Sequence, residues 1–330
     1  MQRQSEPLLP RVTSRADYVP LREDITMTWL PAMRAICQRH DLPAAPLVRL
    51  GGGTNVVFAI GQELIIKLFP PYWKREVRAD RSVAAHIYGK LPVTTPQIYA
   101  HGELEGWPYI VMSRLKGTYL IHIWDTLEYE NQRALVIDLG KLLASLHSLS
   151  IADFSGLELD WPIFLQQRLD RCQQHHREKG VVVHWLDQIP GYLVHASPLY
   201  PPDYTPVLLS ADLHHYHLLV EQEDTGWRLC GFFDFDDARI GFYEYDFASV
   251  GLFMMLGRPD LLSAFLQAYG LTGADLNENL THRLMAYTLL HRYRDLNWII
   301  EDLVANPSVK TLEELAQTIY GLNRVPNRIL

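Results

Sequence analysis

The chain has 330 residues, 48% hydrophobic and 21% charged, values of a folded protein of about two domains that exclude wholesale disorder. Its 38 acidic and 30 basic residues leave a formal net charge of −8, which argues against a dedicated nucleic-acid binder with a basic face. Cys37, Cys172 and Cys230 supply neither a disulfide framework nor a C-x-x-C zinc pair, and no apolar stretch reaches the roughly 18 residues of a membrane helix. A reducing, cytoplasmic setting is therefore expected, with no nucleic-acid and no membrane partner.

Residues 1–23 contain three prolines and no apolar stretch ahead of a small-residue cleavage site, so they read as a loose tail. Met27, Leu30, Met33, Ile36 and Cys37 recur at helical spacing, and Pro31 suits a first turn, so a helix is expected from about Leu30. β-Rich runs at 56–60 and 63–69, joined at Gly61-Gln62, predict a hairpin ended by Pro70 and Pro71. Residues 73–88 read as a helix stopped at Gly89. Strands are expected at 96–103 and 107–112. Leu135, Leu139, Leu142, Leu143 and Leu146 form one apolar stripe of a helix over 132–149, and another helix is expected over 161–179. Short strands follow at 207–209, 218–220 and 229–233, and 245–322 is helical by pattern. The fold class is α+β: a β-rich N-lobe over 24–115 with one main helix, then a larger, mostly helical C-lobe over 116–330. A ligand is expected in the cleft between them.

The chemistry concentrates in two loops. One is Ser210-Ala211-Asp212-Leu213-His214-His215-Tyr216-His217, set between apolar runs; the other is Asp234-Phe235-Asp236-Asp237, delivered by Cys230-Gly231-Phe232-Phe233. Phosphoryl transfer to a hydroxyl needs such a carboxylate pair, one to accept the hydroxyl proton and one to hold a hard cation. In the N-lobe, the loop Gly51-Gly52-Gly53-Thr54-Asn55 lets backbone N–H groups approach phosphates. Lys67 interrupts the apolar run Ile65-Ile66-Lys67-Leu68, as a phosphate-contacting lysine paired with a helix carboxylate would.

In this combination the sequence resembles the aminoglycoside phosphotransferase family, small-molecule kinases with a protein-kinase-like two-lobe fold. The resemblance runs over about 48–251. It takes in the glycine loop, Lys67, the run from Gly106-Trp107-Pro108-Tyr109 to Gly117, Leu146-His147, the Asp212 loop, Asp234-Phe235 and Tyr245-Asp246. Within the family it is most similar to the hygromycin B phosphotransferases. The resemblance implies Asp212 as catalytic base, Asp234 as metal ligand and Lys67 as phosphate ligand. Gly52, Gly53, Thr54 and Asn55 would line the phosphate site. The hinge from Met112 through Ser113 to Leu115 would hold the base of ATP or GTP by its backbone amides. The carboxylate that pairs with Lys67 is Asp80 by count along the helix and Glu76 by reach. Asp246 is expected to be structural.

Two departures stand out. Ser210-Ala211 replaces the family's His-Gly before the base, and His217 replaces the asparagine that serves as second metal ligand. Imidazole suits Mg²⁺ less well than an amide oxygen does, so Mn²⁺ stands beside Mg²⁺ as the expected ion. On the acceptor side, Asp236, Asp237 and Glu244 lie close in sequence to the chemistry and would attract a cationic small molecule. Trp161, Trp185, Tyr243 and Trp298 are candidate flat walls for it. The expected activity is transfer of the γ-phosphate of ATP or GTP to a hydroxyl of an aminoglycoside-type antibiotic, by a monomer or weak dimer. The alternatives are a kinase of a metabolite alcohol or sugar, and a nucleotide-binding pseudokinase.

Overall fold

The computed structural model describes residues 6–22, 29–51, 53–152, 154, 157, 160–224, 226–291 and 295–322. Five strands build the N-lobe sheet: β1 (Leu47–Leu50), β2 (Val56–Ile60), β3 (Leu64–Leu68), β4 (Ile98–Leu104) and β5 (Trp107–Ser113). They run antiparallel in the order β1-β2-β3-β5-β4. Lys67 therefore sits mid-sheet, opposite Val57 on one side and Ile110 on the other. Side chains alternate along a strand. Ile66 and Leu68 enter the apolar core with Phe58, Trp107 and Tyr109, while Ile65 and Lys67 face the interlobe cleft.

The segment expected as a loose tail is packed instead. It forms α1 (Arg15–Arg22), and Leu9, Val12 and Tyr18 are buried against Trp29, Met33 and Ile36. Its apolar residues are too sparse to show a period, but each fills a gap on the outer face of the sheet. Trp29 and Pro31 open α2 (Leu30–Arg39), as the proline predicts. The helix α3 (Lys74–Ile87) packs Ala79, Val83, Ala84 and Ile87 into the C-lobe core and so joins the lobes.

In the C-lobe the leucine stripe is the buried face of α4 (Tyr129–His147). It lies so close to the helix over 259–269 that a Cβ on Gly140 would collide with the Phe265 carbonyl. The other helices are α5 (Trp161–Glu178), α6 (Val183–Leu186), α7 (Ile189–His195), α8 (Glu244–Met254), α9 (Pro259–Tyr269), α10 (Glu278–Leu290), α11 (Leu296–Trp298) and α12 (Leu312–Ile319). Two small ribbons carry the functional loops. One pairs β7 (Val207–Leu209) with β10 (Arg239–Gly241); the other orders β6 (Thr118–Tyr119), β8 (Leu218–Glu223) and β9 (Gly226–Phe232) as β6-β8-β9. The two-residue β6 and three-residue β10 are too short to show periodicity in the sequence.

Candidate active site

The loop that follows β7 is fixed from below. Asp246, in the first turn of α8, accepts the backbone N–H groups of Ser210 (2.9 Å) and Ala211 (2.7 Å). His147 Nε2 donates to the same carboxylate at 3.1 Å. His291 Nε2 donates to the Ala211 carbonyl at 2.9 Å. These bonds hold Ala211 at φ 61°, a left-handed conformation that costs a non-glycine residue on the order of 1–2 kcal/mol. The bend presents Asp212, which is half-buried.

Two histidines of this loop take opposite tautomers. His214 Nδ1 accepts the Tyr216 N–H at 3.3 Å, so its hydrogen is on Nε2, which points at Asp212 Oδ1 from 3.4 Å. His217 Nδ1 lies 2.9 Å from the Asp212 carbonyl. A carbonyl only accepts, so here the hydrogen is on Nδ1. Burial lowers the pKa of both rings, that of His214 to about 4, and both are therefore neutral near pH 7.

Lys67 gathers three carboxylates. Its Nζ lies 2.7 Å from Asp80 Oδ2, 2.7 Å from Asp234 Oδ1 and 3.3 Å from Asp236 Oδ2. Between the two carboxylates left open in the sequence, Asp80 is thus a partner of Lys67 at 2.7 Å; Glu76 is half-buried one turn earlier. Asp80 Oδ1 also accepts the Phe235 N–H at 3.3 Å, a link that a Glu76 side chain would have to span from a turn away. Burial alone would lower the Lys67 pKa, but the three carboxylates outweigh it and raise it well above the usual lysine value. Burial likewise raises Asp80 and, helped by the Asp234 charge, lifts Asp236 to about 7. At Asp234 the Lys67 charge overcomes burial and brings the carboxyl down to about 2. Asp234 is held at φ 72°, a second left-handed residue at the site.

Asp234 Oδ2 faces His217 Nε2 at 3.6 Å. One is a charged acceptor and the other a ring nitrogen bearing a lone pair, so neither donates to the other. That donor set fits a divalent cation.

The cleft beside Lys67 has room for about 160 Å³ and is walled by Leu50, Val57, Ile65, Met112, Leu219 and Phe233. At its back the hinge offers fewer amides than the sequence suggests. Ser113 N–H donates to the Gln97 carbonyl (2.9 Å) and Arg114 N–H to that of Glu63 (2.8 Å). Among the described residues no internal bond engages Leu115 N–H, so the hinge edge reduces to that donor. Gly52 lies outside the described residues. At Gly51 a Cβ would meet nothing, and at Gly53 only the Asn55 nitrogen at 3.9 Å; the protein leaves this approach clear. Thr54 is tied to the N-terminal segment, its carbonyl accepting the Tyr18 hydroxyl at 2.8 Å. Asn55 does not face a phosphate site. It is buried, and its Nδ2 donates to Asp236 at 2.9 Å.

The three acids expected on the acceptor side do not assemble there. Asp236 is bound to Lys67 and Asn55, and Asp237 is 2% exposed. Glu244 is clamped by Arg283 through two bonds of 2.7 Å, in a separate recess of about 400 Å³ with His195, Tyr200, Tyr243 and His282. Their nearness in sequence to Asp234 hides a change of direction at β10. Trp161 and Trp185 are core residues. Trp298, by contrast, lies partly exposed beside Phe253, which in turn touches the His214 ring. Sequence reasoning missed the Asn55–Asp236 bond, the Tyr18–Thr54 bond and Arg75, whose guanidinium donates to the carbonyls of Asp236 and Ala238. All are contacts between residues far apart in the chain, with no local pattern. His214 was legible only as one of three clustered histidines.

The model of the phosphotransferase enzyme family matches residues 47–285. Among curated proteins, the lysine-specific demethylase JMJ21 of Arabidopsis thaliana is 23% identical over 274 residues, which is 66% of this chain and 29% of that protein. The chain thus spans less than a third of that relative's length. Among solved structures, the GDP complex of wild-type aminoglycoside 2'-phosphotransferase-IIIa superposes with a TM-score of 0.66 at 19% identity, covering 88% of this chain and 99% of that one. The GDP and kanamycin complex of APH(2'')-IIIa gives 0.63 at 18% identity over 88% and 97%. The streptomycin–ATP–APH(2'')-IIa ternary complex gives 0.57 at 17% identity over 90% and 96%. These likenesses establish the kinase-like two-lobe fold.

Proposed function

Because the chain belongs to the phosphotransferase enzyme family, we propose that it transfers the γ-phosphoryl group of a nucleoside triphosphate to a hydroxyl of a small molecule. The observation that carries the reading is the Lys67–Asp80–Asp234 cluster at the mouth of an apolar cleft, with His217 held by the Asp212 carbonyl and facing Asp234. Few structural roles would concentrate three acids on one buried lysine beside an open pocket, because burying charge is costly.

In this mechanism the base stacks between Val57, Met112, Leu219 and Phe233, its edge accepting from Leu115 N–H. The glycine loop closes over the phosphates. Lys67 keeps Asp80 and Asp234 and turns from Asp236, the most distant of its three carboxylates, to the phosphate oxygens. Asp234 and His217 would hold the divalent cation, Mg²⁺ or Mn²⁺, which supplies neutralisation of the phosphate charge. Asp212 accepts the proton of the attacking hydroxyl, while the His214 Nε2–H orients its Oδ1. The acceptor enters from the C-lobe side, along His214, Phe253 and Trp298.

The neighbouring structures bind kanamycin and streptomycin, which supports an aminoglycoside as first acceptor to test. Hygromycin B belongs in the same panel. Against them stands the engagement of Asp236 and Glu244 elsewhere, which favours an acceptor with fewer positive charges, such as a metabolite alcohol or sugar. The test is release of ADP or GDP from purified protein across a panel holding both classes. Acceptor-dependent release supports the reading. Nucleotide binding without release for any acceptor would support a pseudokinase.

A further inference from the structure

The two histidine tautomers divide the loop between two tasks, and only one of them concerns a metal. His214 has its Nδ1 occupied by the Tyr216 N–H, and its Nε2–H directed at Asp212. It has no lone pair to give. His217 is the reverse: its Nδ1–H is taken by the Asp212 carbonyl, and its Nε2 lone pair is aimed at Asp234 Oδ2, 3.6 Å away. Two acceptors facing each other without a shared hydrogen repel. A cation between them removes the repulsion, and two donors on one ion with bonds near 2.1 Å stand about 3.0–3.4 Å apart. A small closure of the observed gap satisfies this.

The Nδ1–H···O=C bond is also what a metal-binding histidine requires behind it, since it fixes the ring and raises the basicity of Nε2. Lys67 on the far oxygen fixes the Asp234 carboxylate, orienting Oδ2 toward the imidazole. Mg²⁺ demands oxygen donors, whereas imidazole favours first-row transition ions.

Resting on the phosphotransferase reading, we propose that Asp234 Oδ2 and His217 Nε2 form a mixed carboxylate–imidazole site that selects a transition dication such as Mn²⁺ over Mg²⁺, while His214 positions Asp212 and stays off the metal.

The test uses the full-length protein with a non-hydrolysable nucleoside triphosphate. Mn²⁺ binding is followed by electron paramagnetic resonance, Mg²⁺ by competition, and directly bound imidazole by its ¹⁴N electron spin-echo modulation. The wild type is expected to show the modulation and to favour Mn²⁺. In His217→Asn and His217→Ala the modulation should vanish. Loss of even an outer partner of a metal site costs on the order of 10–100-fold in affinity, so the Mn²⁺/Mg²⁺ affinity ratio should fall at least about tenfold. His214→Asn should keep both the modulation and the ratio. Absence of modulation in the wild type, which needs no variant to fold, overturns the proposal, as does an unchanged ratio in His217→Asn. If nucleotide binds and phosphoryl transfer runs with no modulation, the metal assignment falls and the phosphotransferase reading stands. If the protein binds neither nucleotide nor metal, both fall.

Discussion

Asp212 and Asp236 belong to the two acidic loops of the site, yet their surroundings differ. Asp212 is half-buried, touched by a neutral His214, and set in a loop remote from the hinge. Asp212→Asn keeps the shape and removes the proposed base. Its expected effect is a loss of turnover on the order of 10²–10⁴-fold, with nucleotide affinity, measured by titration calorimetry, within a few-fold of wild type. Asp236 is lifted by burial to about 7, against 3.8 for the ordinary carboxyl. The folded protein therefore binds a proton at Asp236 that the unfolded chain releases above pH 4. The contribution of this group to stability falls as pH rises from about 4 to about 7, and the full cost of the buried charge is present above that. Asp236→Asn removes this cost while keeping an oxygen for Lys67 and Asn55. Thermal unfolding of the variant should show a gain of a few degrees in Tm at pH 8 and little or none at pH 5. A gain equal at both values would count against a buried, proton-bearing Asp236.

The element that shapes the catalytic loop is the first turn of α8. Asp246 takes two backbone N–H groups and the His147 ring on one carboxylate, and it is fully buried. Asp246→Ala leaves three buried donors unsatisfied. At roughly 1–3 kcal/mol for each such group, with part recovered by relaxation, a loss of about 3–5 kcal/mol in urea denaturation is expected, and turnover falls with it. Asp246→Asn keeps one acceptor oxygen and should lie between. At this scale much was readable in advance. The hairpin of β2 and β3, the helix α3 and the leucine face of α4 all announce themselves by period. The partner of Lys67 was readable only to within one helical turn, because two acids four residues apart share a face and only the depth of α3 against the sheet chooses Asp80. The supposed acidic acceptor wall failed for a related reason: Asp236, Asp237 and Glu244 are close in sequence, but Asp236 is drawn to Lys67 and Asn55, Asp237 is buried, and β10 with the start of α8 carries Glu244 away to Arg283.

At the scale of the whole molecule, the N-terminal segment, the sheet and the C-lobe are joined by single long-range contacts at the site. Tyr18 holds Thr54, Asn55 holds Asp236, Arg75 holds the Asp236 carbonyl, and α3 enters the C-lobe core. Removal of residues 1–22 should lower Tm by several degrees, because Trp29 and Met33 lose their cover. It should also weaken nucleotide binding through Thr54. Tyr18→Phe separates the two effects: its packing stays, and only the tether to the glycine loop is lost. A Tyr18→Phe variant with wild-type Tm but weaker nucleotide binding is the expected outcome, read by calorimetry and thermal melts. The three hydrogen-bonded ties have no sequence pattern, since each rests on one pair of residues brought together by the fold. The two-lobe plan and the Lys67, Asp212 and Asp234 positions did have one, because loops, strands and charges there recur in a fixed order.

Phosphoryl transfer with Asp212 as the proposed base is decided by incubating the protein with γ-labelled ATP or GTP and the acceptor panel, and following the label into the acceptor. The wild type is expected to label at least one hydroxyl-bearing small molecule, and Asp212→Asn to lose that labelling almost completely at undiminished nucleotide binding. Equal labelling by wild type and Asp212→Asn would contradict it.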